Sequence, residues 1–384
     1  LEVGKALREA APDEVYIGPA TSTIDFAFLE GCFKAGLLEH WHAVSVHPYR
    51  QQAPETVADE YARLRQLIGR YAPKDKWIPI LSGEWGYSAA WRGFDPVKQG
   101  KMLPRQWLTN IACGVPVSIW YDWHDDGPDP KEPEHHFGTV LHPYRGEQRP
   151  VYEPKPAYLA AQTLTAQLKG LRYSKRLDVG RPDCYVYLFA KDDKLCVAAW
   201  TTADEPREVV LPASPGRFAV TGHTGERRPV AVAEKKGLVV RLADAPQYFV
   251  PEGQNDLLRV AAEIPDFSGD MALQAAGLFA MEVAVRNPLD RPITVSAQNS
   301  SETLRPGETS ALVVAFEGFP RNAAPFQLPL VVRVQGLGEI AQSLRVTVTN
   351  PLRVSLGPIQ APAFAVRIEN PSGEPFRGTV RLFD

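Results

Sequence analysis

The sequence is poor in features that mark several classes of protein. Its 384 residues hold only four cysteines, and these lack the short paired spacings of zinc sites. The net charge of −3 creates no field that would favour nucleic acid or an anionic membrane. No apolar run approaches the roughly 20 residues of a membrane-spanning helix. We therefore expect no metal site, no nucleic-acid partner and no membrane span.

The cysteines also lack the geometry for a disulfide within one predicted hairpin. Cys184 and Cys196 flank a polar turn, and a hairpin centred there pairs Cys196 with about Phe189. A bond between the two cysteines is therefore not expected, and buried free thiols leave the cellular compartment open. The chain begins without Met, inside a helical pattern, and ends within a strand-like segment. We interpret it as a fragment, so a missing export signal says little.

Residues 1–170 alternate short apolar strands with amphipathic helices. The strands are predicted at 14–20, 43–49, 77–84 and 116–123, and the helices at 25–37, 55–72, 96–114 and 155–171. The strands begin about 30 to 40 residues apart, which is the spacing of βα units in a parallel sheet. Their near-continuous apolar character is typical of a sheet covered on both faces.

The remaining chain is predicted to be all β. Short strands at 184–190, 194–202, 207–212, 217–222 and 237–242, separated by Gly, Pro and Asp turns, predict a sandwich over 171–252. An internal repeat, in which 283–295 resembles 365–380, then favours an immunoglobulin-like module at 253–349 and a truncated second one at 350–384. We interpret these modules as spacers that present a neighbouring domain.

Side chains suited to chemistry follow three consecutive predicted strands at the same end. The carboxyl ends of parallel strands face the ligand site. The second, third and fourth strands deliver, in that order, His47 and Tyr49, Glu84 and Trp85, and Trp120, Asp122 and Trp123. Each residue alone is more often a packing or solvated residue, but their joint placement favours a site. Trp rings stack on sugars, and no Gly-rich phosphate loop follows any strand, so we expect glycoside chemistry without a cofactor.

These residues resemble motifs of clan A glycoside hydrolases, as in families 5 and 39. His47-Pro48-Tyr49 is similar to the H-x-Y motif at the end of strand six. Residues 82–88 resemble the strand-seven segment, with Glu84 in the nucleophile position, and 118–127 resemble the strand-eight segment that supplies a stacking Trp. The resemblance implies that 1–170 form strands five to eight, the carboxyl-terminal half of a (β/α)8 TIM barrel.

The resemblance also implies a retaining mechanism on an oligo- or polysaccharide. Glu84 would attack the anomeric carbon, Tyr49 would hydrogen-bond Glu84, and His47 would line the subsite. The residues expected to bind substrate are Trp120, Trp123, Asp122 and Trp85. The family's acid/base is a Glu after Asn, and no Asn-Glu pair occurs here.

We therefore expect the acid/base upstream, in the missing amino-terminal half of the barrel, and a chain that is inactive alone. Asp122, Asp125 and Asp126 are candidates for an internal substitute. The location expected for such an enzyme is extracellular or periplasmic. Two alternatives stay open: a non-catalytic carbohydrate-binding or cell-surface protein on a barrel-derived scaffold, and an open, doubly wound α/β enzyme of another class.

Overall fold

A computed structural model describes the chain in five segments, 2–268, 270–276, 278–317, 325–356 and 366–370. It has a mixed α/β part followed by many antiparallel strands. We call residues 2–168 the α/β region, 172–251 the first β region, and the strands from 270 onward the second β region.

The α/β region contains a sheet of four parallel strands in the order β1-β2-β3-β4. The strands are β1 (Ile17–Thr21), β2 (Ala43–Val46), β3 (Ile80–Trp85) and β4 (Ser118–Trp120). The helices are α1 (Glu2–Ala10), α2 (Phe26–Lys34), α3 (Val57–Tyr71), α4 (Pro96–Ala112) and α5 (Pro156–Leu168), with short 3-10 turns at 37–39, 54–56 and 133–136. The predicted alternation of strands and helices is confirmed, whereas the half-barrel stays a prediction.

All four strands are shorter than predicted, and for two of them a proline beside the strand accounts for the difference. Pro79 precedes β3 and Pro48 follows β2. Proline cannot donate a hydrogen bond to a sheet, so regular pairing begins or ends beside it. Within these limits the core is continuous: Leu29 of α2, Leu64 of α3 and Ile80 of β3 are fully buried in one cluster. Burial of each such side chain stabilises the fold by about 1.5–3 kcal/mol.

Helix α4 fixes the chain segment that follows β3. The helix starts at Asp95, whose side chain accepts a hydrogen bond from the Lys98 amide (2.7 Å), and Pro96 occupies its first turn. Two buried glutamine side chains of the helix also form hydrogen bonds to the backbone at and after the end of β3. Gln99 Nε2 donates to the Tyr87 carbonyl (2.8 Å) and Gln106 Nε2 donates to the Trp85 carbonyl (3.0 Å). These bonds hold the backbone on the carboxyl side of Glu84.

The first β region is an antiparallel arrangement, as predicted. Its strands are β5 (Arg172–Arg176), β6 (Cys184–Lys191), β7 (Lys194–Thr201), β8 (Arg207–Leu211), β9 (Gly216–Thr221), β10 (Arg227–Ala233), β11 (Leu238–Leu242) and β12 (Gln247–Pro251). A sheet runs in the order β10-β9-β12-β7-β6-β5, and β11 pairs with β8. Cys196 pairs with Phe189 in the β6-β7 hairpin, as predicted, and Cys184 and Cys196 form no disulfide.

The α/β region and the first β region meet around a buried ion pair. Arg105 of α4 donates twice to the Glu55 carboxylate, at 2.7 and 2.8 Å, and both side chains are less than 5% exposed. The Trp200 indole of β7 donates to the same carboxylate at 2.6 Å. A second, more exposed pair between the regions joins Lys101 to Asp244 (2.9 Å).

Helix α6 (Asp256–Glu263) leads into the second β region. Its strands are β13 (Asp270–Ala276), β14 (Leu278–Arg286), β15 (Ile293–Ala297), β16 (Ser300–Leu304), β17 (Thr309–Glu317), β18 (Phe326–Val334), β19 (Gly338–Leu356) and β20 (Val366–Glu369). Strand β19 runs through the predicted boundary at 349. Most of the second repeat copy, 365–380, lies outside the described residues, so the two-module division stays a prediction. Among the described residues, no helix has the length and apolar character to cross a membrane.

Candidate active site

Glu84, Tyr49 and His47 lie together at the carboxyl ends of β2 and β3. The Tyr49 hydroxyl donates a hydrogen bond to Glu84 Oε1 at 2.8 Å. His47 Nδ1 lies 3.9 Å from the other carboxylate oxygen, Oε2. The Glu84 side chain is 39% exposed, so the carboxylate is both held by protein and open to a ligand. The hydrogen bond expected between Tyr49 and Glu84 is therefore present, while the catalytic roles of the three residues stay predictions.

The Tyr49 hydroxyl is a permanent donor to Glu84. The Tyr49 ring packs edge-on against Tyr121 and Phe137, with centroids 6.5 and 6.1 Å away. Burial, followed by the hydrogen bond to Glu84, raises the pKa of Tyr49 far above its ordinary value. The phenol therefore stays protonated at physiological pH and keeps donating to the Glu84 carboxylate.

The glycines on both sides of Glu84 permit its neighbours to approach. A Cβ placed on Gly83 would collide with the Ser45 hydroxyl and lie 3.3 Å from His47 Nε2. A Cβ on Gly86 would collide with the Tyr121 carbonyl oxygen. The S-G-E-W-G sequence thus lets the segments that follow β2 and β4 close around Glu84.

Two of the predicted substrate-binding indoles are buried. Trp85 has no exposed surface; its ring lies 6.0 Å from Tyr87 and beneath the Arg50 guanidinium at 5.4 Å. Trp120 is 9% exposed, stacks on Tyr87 at 6.3 Å, and donates from Nε1 to the Phe137 carbonyl at 3.2 Å. Both rings pack against Tyr87 inside the core at the strand ends. Their predicted contacts with substrate stay predictions.

The third predicted indole, Trp123, presents its surface to solvent. It is 59% exposed, and its ring contacts Tyr158 edge-on at 6.1 Å. It lies in the segment after β4, two residues beyond Tyr121, whose ring contacts Tyr49. Of the three predicted indoles, Trp123 is thus the one with the exposed face that sugar stacking requires.

Asp122 is a half-buried carboxyl next to this group. Its burial, followed by the charge of Asp126, raises the pKa of Asp122 to about 6. Among the described residues, its Oδ1 atom is buried without a hydrogen-bond partner. A carboxyl in this state is partly protonated near neutral pH, and it can therefore donate a proton or a hydrogen bond.

Asp125, the neighbouring candidate, is already paired. Lys155 Nζ donates to its carboxylate at 2.7 Å, and both side chains are less than 5% exposed. Burial lowers the pKa of Lys155, and the hydrogen bond to Asp125 opposes that shift. The pair anchors the segment after β4 to the start of α5. Asp126 is exposed.

The side chains that sequence reasoning missed are supporting ones. Gln99 and Gln106 lie on the buried face of α4, and Arg50 follows the H-P-Y motif directly. Gln99 and Gln106 could have been found from the sequence, because each is a polar residue at a position where the helical pattern expects an apolar one. A buried amide needs hydrogen-bond partners, which here are backbone carbonyls. In the part of the chain that the structure describes, no group of three His, Cys, Asp or Glu side chains could hold a metal ion.

No protein-family profile and no curated protein match the chain. Among solved structures, the fold is similar to a family 39 glycoside hydrolase from Bacteroides cellulosilyticus WH2, with a TM-score of 0.56 and 22% identity. That similarity covers 65% of this chain and 53% of the other, so the chain spans about half the length of that hydrolase. At this identity the similarity shows a shared fold.

Two further similarities are to a family 30 endoxylanase and a family 86 enzyme. The endoxylanase, from Clostridium papyrosolvens C71, has a TM-score of 0.41 at 12% identity, over 66% of this chain and 60% of the other. The second, a β-porphyranase from Bacteroides plebeius, has a TM-score of 0.45 at 10% identity, over 82% of this chain and 66% of the other.

Proposed function

We propose that this chain carries the nucleophile of a retaining glycoside hydrolase that acts on an oligo- or polysaccharide. The observation that carries the proposal is the 2.8 Å hydrogen bond from Tyr49 to Glu84 at the carboxyl ends of neighbouring parallel strands. The fold shared with a family 39 glycoside hydrolase supports it. So does the partial exposure of the Glu84 carboxylate, since a nucleophile must reach the sugar.

In the first step, Glu84 attacks the anomeric carbon. A bond forms between that carbon and a carboxylate oxygen, the glycosidic bond breaks, and the leaving oxygen takes a proton from an acid. The negative charge on Glu84 disappears as the ester forms. Tyr49 holds the carboxylate in place beforehand through its hydrogen bond, and it keeps its own proton at physiological pH because its pKa is raised.

In the second step, the same acid group, now a base, takes a proton from water. The water oxygen bonds to the anomeric carbon and the bond to Glu84 breaks, which releases the sugar with its configuration retained. Residues 1–384 contain no Asn-Glu pair. We therefore propose that the acid/base belongs to a part of the (β/α)8 barrel outside these residues. Within the described chain, Asp122 is the carboxyl whose raised pKa suits a proton donor.

A covalent trap tests the proposal without requiring the acid. A 2,4-dinitrophenyl leaving group departs unprotonated, and a fluorine at carbon 2 of the sugar slows hydrolysis of the glycosyl-enzyme. We would incubate the protein with such reagents built on xylose, glucose, mannose and galactose, as both anomers. The expected result is one added fluoroglycosyl group, located on the Glu84 peptide by mass spectrometry.

The variants define the outcome of this experiment. Glu84→Gln should lose the label, and Glu205→Gln, an exposed glutamate of the first β region, should keep it. A label on another residue, or no label from any reagent, would overturn the proposed nucleophile. Sugar binding without any label would favour the alternative of a non-catalytic carbohydrate-binding protein.

A further inference from the structure

A cleft of about 360 Å³ opens directly beside Tyr49. Its walls come from the segments that follow β1 and β2 and from α3, and its lining includes Thr23, Phe26, Tyr49, Arg50, Gln52 and Glu60. This volume falls in the range of about 300–1,000 Å³ typical of small-ligand sites. Since the Tyr49 hydroxyl contacts Glu84, a ligand in the cleft would lie next to a sugar bound at Glu84.

Arg50 is the rigid part of this cleft. Its side chain is 8% exposed, and it donates to the Pro48 carbonyl and to the Thr56 hydroxyl, each at 3.1 Å. Its guanidinium lies 5.4 Å from the Trp85 ring. Both terminal nitrogens and Nε of the guanidinium each donate to a protein group, which fixes the orientation of Arg50. It serves as a fixed support for the carboxylate that it binds.

That carboxylate is Glu60. Arg50 donates to Glu60 Oε2 at 2.8 Å, and the Glu60 side chain is 45% exposed. Among the described residues, Oε1 has no hydrogen-bond partner. Glu60 therefore presents an oriented acceptor to the cleft, and the charge of the pair is balanced. A neutral ligand with hydroxyl donors suits such an acceptor, whereas an anion gains nothing from it.

The other walls complete the same chemistry. The Gln52 side chain is exposed and can both donate and accept, and the Thr23 side chain is also exposed. Phe26 supplies an aromatic wall, and the Arg63 guanidinium lies 3.9 Å from its ring centroid. A carboxylate, an amide, a hydroxyl and a ring together fit the hydroxyls and C–H groups of a sugar.

We infer that this cleft is a second sugar subsite, in which Glu60 accepts hydrogen bonds from the hydroxyls of a neutral sugar unit. This unit adjoins the one attacked by Glu84, so the inference rests on the proposed function for its neighbour. Arg50 is a positioning residue that acts through Glu60. The ligand class is a neutral oligosaccharide of two or more units.

The test is calorimetric titration with xylotriose, cellotriose, mannotriose and β-galactotriose. We expect at least one of these trisaccharides to bind, and Glu60→Gln to weaken its affinity by roughly tenfold to hundredfold, the effect of a lost hydrogen bond to a charged group. Gln52→Ala should weaken it by a few-fold. Glu205→Gln is the matched control and should bind as the wild type does.

The inference is overturned if no trisaccharide binds, or if Glu60→Gln and the wild type bind equally. It also fails if Glu205→Gln binds as weakly as Glu60→Gln. The two proposals fail separately. Trisaccharide binding that depends on Glu60, without a label on Glu84, overturns the nucleophile and keeps the subsite. A label on Glu84 with binding insensitive to Glu60 does the reverse.

Discussion

The α/β region and the first β region both use large aromatic side chains, but they place them differently. In the α/β region, Trp85 and Tyr87 are buried too, but Tyr49 and Trp123 lie just past strand ends, where Tyr49 donates to a carboxylate and Trp123 is 59% exposed. In the first β region, Tyr187, Trp200 and Tyr248 are no more than 4% exposed, and Tyr187 packs on Trp200 with centroids 5.0 Å apart.

The difference follows from the two kinds of sheet. Parallel strands end together, so the residues just past their carboxyl ends converge at one edge that a ligand can reach. Antiparallel strands turn back on themselves, and their alternate side chains fill a core. The candidate chemistry therefore lies in the α/β region. The first β region contributes the Trp200 indole, which helps to fix Glu55.

Breaking the buried ion pair between the two regions should lower the free energy of unfolding more than any other change considered below. Arg105→Met would leave the Glu55 carboxylate buried, with the Trp200 indole as its remaining donor. Removing one partner of a buried ion pair leaves the other charge buried and uncompensated in a medium of low dielectric constant. We expect the free energy of unfolding, measured by urea denaturation, to fall by about 3–5 kcal/mol.

Lys101→Met is the control, because its pair with Asp244 joins the same two regions at the surface. Its side chains are 27% and 48% exposed, so the loss should stay below about 1 kcal/mol. Equal losses in the two variants would mean that the buried pair does not support the contact between the regions as described.

Replacing tyrosine with phenylalanine removes one hydroxyl group, and each region has a buried or half-buried tyrosine where this can be done. Tyr49→Phe removes the donor to Glu84, and we expect the rate of labelling at Glu84 to fall by roughly tenfold to hundredfold, since a hydrogen bond to a charged group is worth about 1.5–3 kcal/mol. The measurement is the time course of the fluoroglycosyl adduct by intact mass spectrometry.

Tyr248→Phe makes the same change in the first β region. The Tyr248 hydroxyl is buried, and it has no hydrogen-bond partner among the described residues. Its removal should leave the labelling rate unchanged and should stabilise the protein slightly, because a buried unpaired polar group is unfavourable. Equal labelling by wild type and Tyr49→Phe would remove Tyr49 from the proposed mechanism.

The sequence predicts elements better than it predicts contacts between them. Helix α3 follows from apolar residues at helical spacing, and Val57, Tyr61 and Leu64 are indeed buried. Strand β10 was missed: its first four residues are exposed and include Pro229, so it lacks an apolar pattern. Strand β12, which ends in Pro251, was missed as well.

Contacts between residues far apart in the sequence could not be predicted, because no local sequence pattern identifies the two partners. Glu55 and Trp200 are 145 positions apart, and no periodicity identifies one as the partner of the other. The placement of Glu84 at a strand end could be predicted, because an apolar run stops there. Whether Trp85 and Trp120 face ligand or core could not, because an indole suits both environments. Their burial beside Tyr87 results from contacts between segments, which the local sequence does not show.

The smallest expected effect concerns Asp122, a partly buried carboxyl that lacks the partners Glu55 has. With its pKa raised to about 6, the folded protein holds the Asp122 proton more tightly than the unfolded chain does. The resulting stabilisation is present below about pH 4 and is lost as the pH rises through about 6. Asn does not titrate, so the Asp122→Asn variant should not lose this stability as the pH rises.

The free energy of unfolding of Asp122→Asn, minus that of the wild type, should therefore rise between about pH 4 and about pH 7.5. We expect a rise of up to about 1 kcal/mol, less than the full pKa shift would give, because solvent screens a half-exposed group. Urea denaturation at both pH values measures it. Asp126→Asn removes a charge that raises the pKa of Asp122, so the rise measured in that background should shrink. A difference that is constant or falls with pH would show that burial does not favour the protonated form of Asp122, and would remove it as a proton donor.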